Sequence, residues 1–450
     1  MQPRIVIVGG GFAGINAAHA LAQAPVDILI IDRKNHHTFQ PLLYQVATGT
    51  LSPADIAQPI RSMFVNSSNV SVVMDEVLDF DLVKQEVKLK NEQPIVYDYL
   101  LVASGSTHSY FGHDDWAAHA PGLKTIEDAI EIRRRIFMAF ENAEREMHDK
   151  GSHDSVNFIV IGGGPTGIEL AGAIADTCHL YLKNYFRKID PKLSRIVLIE
   201  GLPSILPVYP KELIDDATKQ LKEIGVEIMC STKVTGITSG VVQTEEAGSI
   251  EASVILWAAG VKGSFLGSKL GLATDRRGCV NVDNFLNPAQ ATVDGASGAN
   301  LKNVFVIGDL AHFEQNGKPV PGVAQTAIQM GQHVAKVILA DINHTARPEF
   351  TYFDKGDLST IGRLKAVANV KWPFKAKLSG AYAWFVWAVI HIFFLIGLRN
   401  RFAVFTQWMW SFMTRRRCVQ LITGDETQPI DRSIEMPPEK RPEKSSATCC

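Results

Sequence analysis

The chain has 450 residues, of which 46% are hydrophobic and 20% are charged, and its formal net charge is −2. These values exclude wholesale disorder and predict two or three domains with sizeable cores. The six cysteines form no CxxC pair and no zinc-ligand spacing, so we predict no metal site and expect reduced thiols in a cytosol-facing protein.

A glycine-rich loop lies near the start of the chain. The apolar run Arg4–Val8 reads as a parallel strand buried on both faces, and Gly-Gly-Gly-Phe-Ala-Gly follows at residues 9–14. Asp32 ends the next apolar run, eighteen residues after Gly14. Glycines at this spacing allow a tight turn, close approach of a pyrophosphate and helix packing, and the acid can bind ribose hydroxyls. The pattern predicts a dinucleotide-binding loop.

The same arrangement occurs a second time in the middle of the chain. A strand-like run over residues 156–161 leads into Gly-Gly-Gly-Pro-Thr-Gly at residues 162–167, and the run 195–200 again ends in an acid, Glu200. Two such loops predict two dinucleotides, one of which passes electrons to the other. Because Glu200 would bind ribose hydroxyls and repel the extra phosphate of NADPH, the sequence favours NADH. The alternative for Glu200 is a solvated acid at a strand end.

Further motifs reveal a family resemblance. The stretches 97–105 and 304–309 resemble those of the FAD/NAD(P)-dependent reductases with paired dinucleotide-binding domains. Within that group the chain resembles the type II NADH dehydrogenases, with one small departure, Ser104 where many members have Thr. The resemblance covers about residues 4–424 and is carried by four stretches, at residues 39–48, 162–172, 324–329 and 391–401.

The resemblance implies a fold and a reaction. The expected fold is α/β, with two Rossmann-like domains of the glutathione-reductase type and a C-terminal helical membrane anchor. The expected reaction is hydride transfer from NADH to non-covalently bound FAD, followed by two-electron reduction of a membrane quinone to quinol without proton pumping. The expected domains are 1–115 and 263–345 for FAD, 116–262 for NADH, 346–424 for the amphipathic membrane helices, and 425–450 as a disordered tail.

Motif positions and resemblance together assign candidate site residues. The predicted FAD contacts are Gly9, Gly11, Phe12, Ala13, Gly14, Asp32, Arg33, Ala103, Gly105, Gly308, Asp309, Ala324 and Gln325. The predicted NADH contacts are Gly162, Gly164, Pro165, Thr166, Gly167, Glu169, Glu200, Ala259 and Gly260. The predicted catalytic residues are Glu169, Gln325, Gln329 and Lys365.

The catalytic candidates each have a structural alternative. Gln325 and Gln329 share a helical face at i, i+4, where their amides can donate to a quinone or to flavin, although such pairs are often simply exposed. Glu169 stands in the first turn of a helix, where a carboxylate is favoured by the dipole alone. The resemblance instead places it between nicotinamide and flavin. Lys365 is a weaker candidate for the quinone side, since a solvated base is the more common explanation of such a residue.

The C-terminal region has an unusual charge pattern. Between Leu358 and Gly424 there is no Asp or Glu but ten Lys or Arg residues, so we expect an anionic partner surface. Two apolar stretches, Leu378–Leu398 and Phe402–Thr414, lie within it. Five of the seven tryptophans occur in or beside these stretches, at positions 372, 384, 387, 408 and 410.

This pattern favours attachment to a membrane. Tryptophan framed by bases is typical of the headgroup boundary, so we expect helices lying on the cytoplasmic face of the cell inner membrane against anionic lipid. Leu378–Leu398 could instead span the bilayer, or the apolar surface could be a buried dimer interface. A nucleic-acid partner is not favoured, because binding to nucleic acid would not explain so many contiguous apolar residues. A homodimer is expected from the resemblance.

Two rival functions remain open from the sequence. A sulfide:quinone or disulfide reductase needs a cysteine pair near the flavin, and Cys178 and Cys279 lie in no suitable motif. A redox-sensing flavoprotein would act through conformation rather than turnover. Steady-state NADH oxidation with and without a short-chain quinone separates these functions.

Overall fold

The computed structural model describes residues 2–152, 155–289, 301–416 and 419–423. The expected disordered tail, 425–450, lies outside these ranges. The helices are α1 Phe12–Leu21, α2 Leu43–Ala47, α3 Pro53–Ile56, α4 Ile60–Met63, α5 Ile126–Lys150, α6 Pro165–Asp176, α7 Lys211–Glu223, α8 Leu266–Lys269, α9 Ala324–Ile342, α10 Gly380–Phe394 and α11 Leu398–Thr414. The strands are β1 Arg4–Val8, β2 Asp27–Asp32, β3 His36–Thr38, β4 Ala57–Pro59, β5 Val70–Met74, β6 Val77–Asp81, β7 Glu86–Leu89, β8 Ile95–Val96, β9 Tyr99–Val102, β10 Ser106–His108, β11 Asn157–Ile161, β12 Arg195–Ile199, β13 Val226–Met229, β14 Val234–Thr238, β15 Val241–Thr244, β16 Gly248–Glu251, β17 Val254–Trp257, β18 Val261–Gly263, β19 Val280–Asn281, β20 Val304–Val306, β21 Ala311–His312, β22 Glu314–Gln315, β23 Lys318–Pro319, β24 Gly356–Gly362, β25 Lys365–Val370 and β26 Ala376–Ser379.

A five-stranded parallel sheet carries the first glycine-rich loop. Its order is β20-β9-β1-β2-β5, so the strand before the loop is central and the strand ending in Asp32 is its neighbour. Both faces of β1 are buried, which explains its continuous apolar sequence. Helix α9 packs closely on α1, where a Cβ at Gly331 would lie 2.2 Å from the carbonyl oxygen of Ala13. This contact sets α9 beside the loop.

A second parallel sheet carries the second loop. Its order is β13-β12-β11-β17, and β11 pairs with β12 from Asn157 opposite Arg195 to Ile161 opposite Ile199. The loop after β11 therefore lies next to the end of β12, where Glu200 follows. The two sheets repeat one arrangement, with a glycine-rich turn after a central strand and an acid after its neighbour.

The C-terminal region forms an antiparallel sheet, β24-β25-β26, followed by the two helices α10 and α11. Helix α6 of the second domain packs directly on β24 at Gly172. Trp387 of α10 and Trp408 of α11 are 1% and 9% exposed and belong to the same apolar core as Ile168 of α6. The C-terminal helices are thus integral to the core around the second dinucleotide domain.

The first predicted apolar stretch forms a shorter helix than its sequence suggests, and the second stretch forms a longer one. Residues 376–379 belong to β26, so the first helix covers only Gly380–Phe394, and the second covers Leu398–Thr414. In the part of the chain that the structure describes, no helix has both the length and the apolar character needed to cross a bilayer.

The expectation that the tryptophans face the headgroups is only partly right. Trp372 and Trp410 are exposed, but Trp387 and Trp408 point inward. Their indole rings lie 5.2 Å apart, tilted by 33°, and both line the same cleft.

Candidate functional site

The glycines of both loops are required by their backbone geometry. Gly9 and Gly162 have φ angles of +108° and +109°, and a Cβ on Gly9 would lie 2.4 Å from the carbonyl oxygen of Ala103. A Cβ on Gly14 or Gly167 would lie 2.0 or 1.8 Å from the carbonyl oxygen of the first glycine of its own loop. Side chains are excluded at these positions by contact with backbone.

The middle glycines are different because they border open space. An added Cβ at Gly11 or Gly164 would meet nothing within 4 Å. Both residues stand at the N-termini of helices, directly before Phe12 and Pro165. Backbone N–H groups at such a helix end attract anions. The two loops therefore fit the pyrophosphates of FAD and a nicotinamide dinucleotide.

The two strand-end acids occupy equivalent positions. Asp32 Oδ2 accepts from the Gly10 N–H at 2.6 Å, and Glu200 Oε2 accepts from the Gly163 N–H at 2.6 Å. Burial raises the pKa of Asp32, opposed mainly by backbone hydrogen bonds from Gly10 and Lys34. Each carboxylate fixes its loop through one oxygen, and its position beside the loop suits the predicted ribose contact.

A buried histidine that no sequence motif singles out also holds the first loop. His37 is 2% exposed and its Nδ1 donates to the Gly10 carbonyl at 2.8 Å. Burial lowers the pKa of His37 to about 4, so the ring is neutral at physiological pH. The edge-on ring of Phe12 packs against it at 5.0 Å. No pattern around His37 distinguishes it from His36 in the sequence.

The first cleft has a volume of about 650 Å³ and runs along the carboxyl ends of the FAD-domain strands. Its lining includes the predicted residues Gly9, Asp32 and Arg33. Ser106, which lines the cleft, donates through Oγ to Asp309 at 2.8 Å, and Lys124 Nζ lies 3.4 Å from the same carboxylate. The predicted FAD contact Asp309 is thus oriented by a hydroxyl and a lysine that sequence reasoning missed.

The second cleft lies where α6, β24 and α11 meet. Its walls combine three tryptophans with a small set of ionisable and hydroxyl groups. They are Tyr44, Gln45, Thr50, Glu169, Ala173, Asp176, Tyr181, Thr360, Ile361, Gly362, Arg363, Trp384, Trp387, Trp408, Ser411 and Phe412. A mostly apolar cleft with a few convergent polar groups suits a flat, weakly polar ligand.

Glu169 is the central ionisable group of this cleft. Its carboxyl reaches the cleft surface but is otherwise enclosed by protein, and this burial raises its pKa to about 8. The Thr360 N–H donates to Oε1 at 3.4 Å, and this hydrogen bond acts against burial by lowering the pKa. Glu169 is therefore protonated at neutral pH and can act as a proton donor.

The two glutamines lie on one face of α9, as predicted, but their amides bind backbone. Gln325 Nε2 donates to the Gly356 carbonyl at 3.0 Å, and its Oε1 accepts from the Lys355 N–H at 3.4 Å. Gln329 forms the equivalent pair with both backbone groups of Phe353, at 3.0 and 2.9 Å. The glutamines hold the connection into β24.

Lys365 lies away from the position expected of a quinone-side catalytic residue. Its Nζ forms an ion pair with Glu223 at the end of α7. The base that lines the second cleft is Arg363, whose guanidinium lies 4.4 Å above the Phe412 ring and donates to the Phe412 carbonyl at 2.8 Å. The Arg363 N–H also donates to Asp176 at 2.8 Å.

The remaining predicted contacts lie beside the loops. Pro165 and Thr166 are exposed in the first turn of α6. Ala259 and Gly260 follow β17, directly next to Gly162, whose Cβ would meet Ala259 Cα at 2.7 Å. The second loop and the β17 turn therefore form one surface, as the predicted NADH site requires.

The further FAD-side positions gather around the first loop and α9. Gly308 lies beside Ala13, with an added Cβ only 3.2 Å from that residue, and its N–H donates to Met330 of α9. Ala324 begins α9, and Ala103 and Gly105 follow β9. The structure thus brings the predicted FAD residues together from five separate stretches of the chain.

Fold and loops define a flavoprotein oxidoreductase with two dinucleotide-binding domains. In agreement, a profile of the pyridine nucleotide-disulphide oxidoreductase family matches residues 3–331. A profile of the NDH2 C-terminal domain matches residues 355–417. The type II NADH:quinone oxidoreductase Ndh of Mycobacterium tuberculosis is 40% identical, over 94% of this chain and 91% of its own length. The chain belongs to the type II NADH:quinone oxidoreductases.

Solved structures agree with the fold. The structure of NDH2 from Plasmodium falciparum in complex with NADH matches with a TM-score of 0.80 at 20% identity, covering 92% of this chain and 99% of that one. The sulfide:quinone oxidoreductase of Aquifex aeolicus gives a TM-score of 0.70 at 17% identity, covering 89% and 92%. At these identities the likeness concerns the fold alone.

Family membership confirms the predicted enzyme class. The chain is an NADH:quinone oxidoreductase that uses FAD and NADH, with quinone as the electron acceptor. The three cysteines that lie within the described residues, Cys178, Cys230 and Cys279, are free thiols. In the described part of the chain no cluster of His, Cys, Asp or Glu is placed to hold a metal ion.

Proposed function

We propose that quinone is reduced in the second cleft and that Glu169 donates the proton that completes quinol. The observation that carries this proposal is a carboxyl of raised pKa, about 8, in a cleft walled by tryptophans. Trp387 and Trp408 come from the two C-terminal helices, whose outer faces are apolar. A hydrophobic quinone could therefore pass from a lipid surface to Glu169 without crossing water.

The chemistry requires a proton source. Conversion of a quinone to a quinol takes two electrons and two protons. When bound, FAD would supply the two electrons, which come from NADH, together with one proton. The second proton comes from Glu169, which is protonated below about pH 8. The Thr360 N–H then stabilises the carboxylate that remains, because it donates to that carboxyl.

On the NADH side, the loop 162–167 is proposed to bind the pyrophosphate and Glu200 the adenosine ribose. Gln325 and Gln329 support the reaction by holding residues 353–356, which lead into the cleft-lining strand β24. Both could also contact quinone or flavin if their amides exchange partners. For Lys365, the ion pair with Glu223 supports a structural role.

The outer faces of α10 and α11 are the proposed membrane-binding surface. On α10, Phe385, Val389 and Phe393 are 63–66% exposed at i, i+4, i+8 spacing, and α11 adds Phe402 and Phe405 at 63% and 50%. Such a continuous exposed apolar face is costly in water. Bases surround it, of which Lys375, Arg399, Arg415 and Arg416 are exposed. They suit anionic headgroups.

The type II NADH:quinone oxidoreductases are membrane-associated enzymes, and the exposed apolar face supports attachment without a crossing helix. Binding on the cytoplasmic side of the inner membrane, where NADH is available, is our proposal. A homodimer stays a prediction from the family resemblance.

The E169Q variant tests the proposed proton donor. Rapid mixing of the purified holoenzyme separates flavin reduction by NADH from flavin reoxidation by a water-soluble quinone. We expect E169Q to slow reoxidation about 100-fold, as loss of a general acid does, while flavin reduction changes less. E223Q is the matched control, because it removes the exposed partner of Lys365. Equal slowing of both half-reactions by E169Q, or slowing by E223Q, would refute the assignment.

A further inference from the structure

A chain of buried hydrogen bonds connects the membrane-side helix α11 to Glu169. Trp408 Nε1 donates to Gln45 Oε1 at 2.7 Å, and Gln45 Nε2 donates to Tyr44 Oη at 2.9 Å. Tyr44 Oη lies 2.9 Å from Thr360 Oγ1, and the Thr360 N–H donates to Glu169 Oε1 at 3.4 Å. The linked side chains line the second cleft.

The hydrogen-bonded chain is buried along its whole length. Tyr44 Oη accepts from Gln45 Nε2, either hydroxyl can donate in the bond between Tyr44 and Thr360, and the last link is made by the Thr360 backbone N–H. Linked hydrogen bonds polarise one another, and their strength is greatest away from water. Tyr44, Gln45, Thr360 and Trp408 are each no more than 9% exposed.

The chain of hydrogen bonds from Trp408 to Glu169 also joins three parts of the molecule. Tyr44 and Gln45 belong to α2 of the FAD domain, whereas Thr360 and Trp408 belong to β24 and α11 of the C-terminal region. Glu169 belongs to α6 of the NADH domain. A shift of any one part relative to the others must stretch a hydrogen bond in this chain.

We propose that Tyr44 is a positioning residue for Glu169, and that Trp408 makes this positioning depend on how α11 is seated. The inference rests on the proposed role of Glu169. Binding of α11 to lipid would preserve the hydrogen bond from Trp408 to Gln45. The rest of the hydrogen-bonded chain would then keep the Thr360 N–H in contact with the Glu169 carboxyl. A change in the seating of α11 would release Thr360 and leave Glu169 without its donor.

Other ionisable groups around Glu169 come from every neighbouring element. Tyr209, from the loop before α7, lies close enough to sense the Glu169 charge, and its hydroxyl donates to Ser359 at 3.4 Å. Asp176 and Tyr181 lie further along the α6 side of the cleft, and Arg363 follows β24. The proposed variants leave these groups unchanged.

The Y44F variant removes the hydroxyl that supports Thr360. Because the Thr360 N–H favours the charged form of Glu169, its loosening should raise the pKa of the carboxyl above the wild-type value of about 8. The high-pH decline of flavin reoxidation by a short-chain quinone should move upward with it. We also expect about fivefold slower reoxidation below that decline, the effect of one buried hydrogen bond. W408F should also raise the pKa of Glu169 and slow reoxidation, but by less than Y44F does.

Y185F is the matched control, since Tyr185 is 55% exposed and the variant removes an equivalent hydroxyl elsewhere. It should leave the pH profile unchanged. The double variant Y44F/E169Q should be no slower than E169Q alone, because Tyr44 acts through Glu169. If Y44F slows E169Q and wild type by the same factor, or leaves the pH profile in place, the positioning role is wrong.

Infrared titration of the holoenzyme separates this proposal from the proton-donor role. The protonated carboxyl band that E169Q abolishes reports the pKa of Glu169 without turnover. An upward shift of that titration in Y44F supports the hydrogen-bonded chain even if E169Q proves kinetically silent, which would refute only the donor role. An unshifted titration in Y44F overturns the chain even if E169Q slows quinone reduction.

Discussion

Gly172 lies where the NADH domain packs tightly against the C-terminal region. It lies in α6, and a Cβ added there would lie 1.6 Å from the carbonyl oxygen of Ile361 in β24. A carbon–oxygen contact needs about 3.3–3.6 Å, so G172A must move α6 and β24 apart by roughly 1.8 Å. Ile361 is flanked by Thr360, which donates to Glu169, so the separation opens the second cleft.

The expected change in the stability of G172A follows from two destabilising effects and one stabilising effect. Overpacking costs about 1–3 kcal/mol, each flanking hydrogen bond about 1 kcal/mol, and alanine gains about 1 kcal/mol over glycine in a helix. We expect G172A to destabilise the holoenzyme by about 2–4 kcal/mol and to slow quinone reduction more than flavin reduction. Denaturant unfolding and rapid mixing measure the two effects.

G164A is the comparison variant, because its added methyl group meets nothing within 4 Å. It should leave stability unchanged and weaken NADH binding, since the methyl group fills the space assigned to the pyrophosphate. A G172A enzyme with wild-type stability and wild-type quinone kinetics would refute the packing argument.

Three further predictions concern specificity, the α9 glutamines and the membrane. E200Q should improve kcat/KM for NADPH relative to NADH by about tenfold, because it removes a charge near the extra phosphate; an unchanged ratio would exclude that role for Glu200. Q325A should slow quinol formation more than flavin reduction in rapid mixing, since it frees the connection into β24; an equal loss would place Gln325 at the flavin generally. F385E/F402E should abolish binding to anionic vesicles while FAD stays bound, because both side chains are 63% exposed; retained binding would mean that the apolar face is not inserted.

Both dinucleotide loops could be predicted from the sequence because their constraints are local. Gly9 and Gly162 need a positive φ, and Gly14 and Gly167 pack against their own loops, so the requirement appears within six residues. The same holds for the strand-end acids, which follow apolar runs. These features need no knowledge of distant contacts.

The quinone side could not be predicted as well because it is assembled from distant segments. Trp408 reaches Gln45 across 363 positions, and Tyr44 reaches Thr360 across 316. Tryptophans in a basic, apolar segment indicate a headgroup boundary, and only tertiary packing shows that Trp408 faces inward. The same reason explains why Lys365 was chosen as a candidate and Arg363 was not.

The position of quinone relative to Glu169 tests the central claim most directly. A crystal structure of the oxidised holoenzyme with a short-chain quinone would give this position. We expect the quinone ring in the second cleft beside Trp387 and Trp408, with one carbonyl oxygen within about 3 Å of the Glu169 carboxyl. A quinone ring bound instead at the glycine-rich loop 162–167, in the place assigned to NADH, would contradict the account.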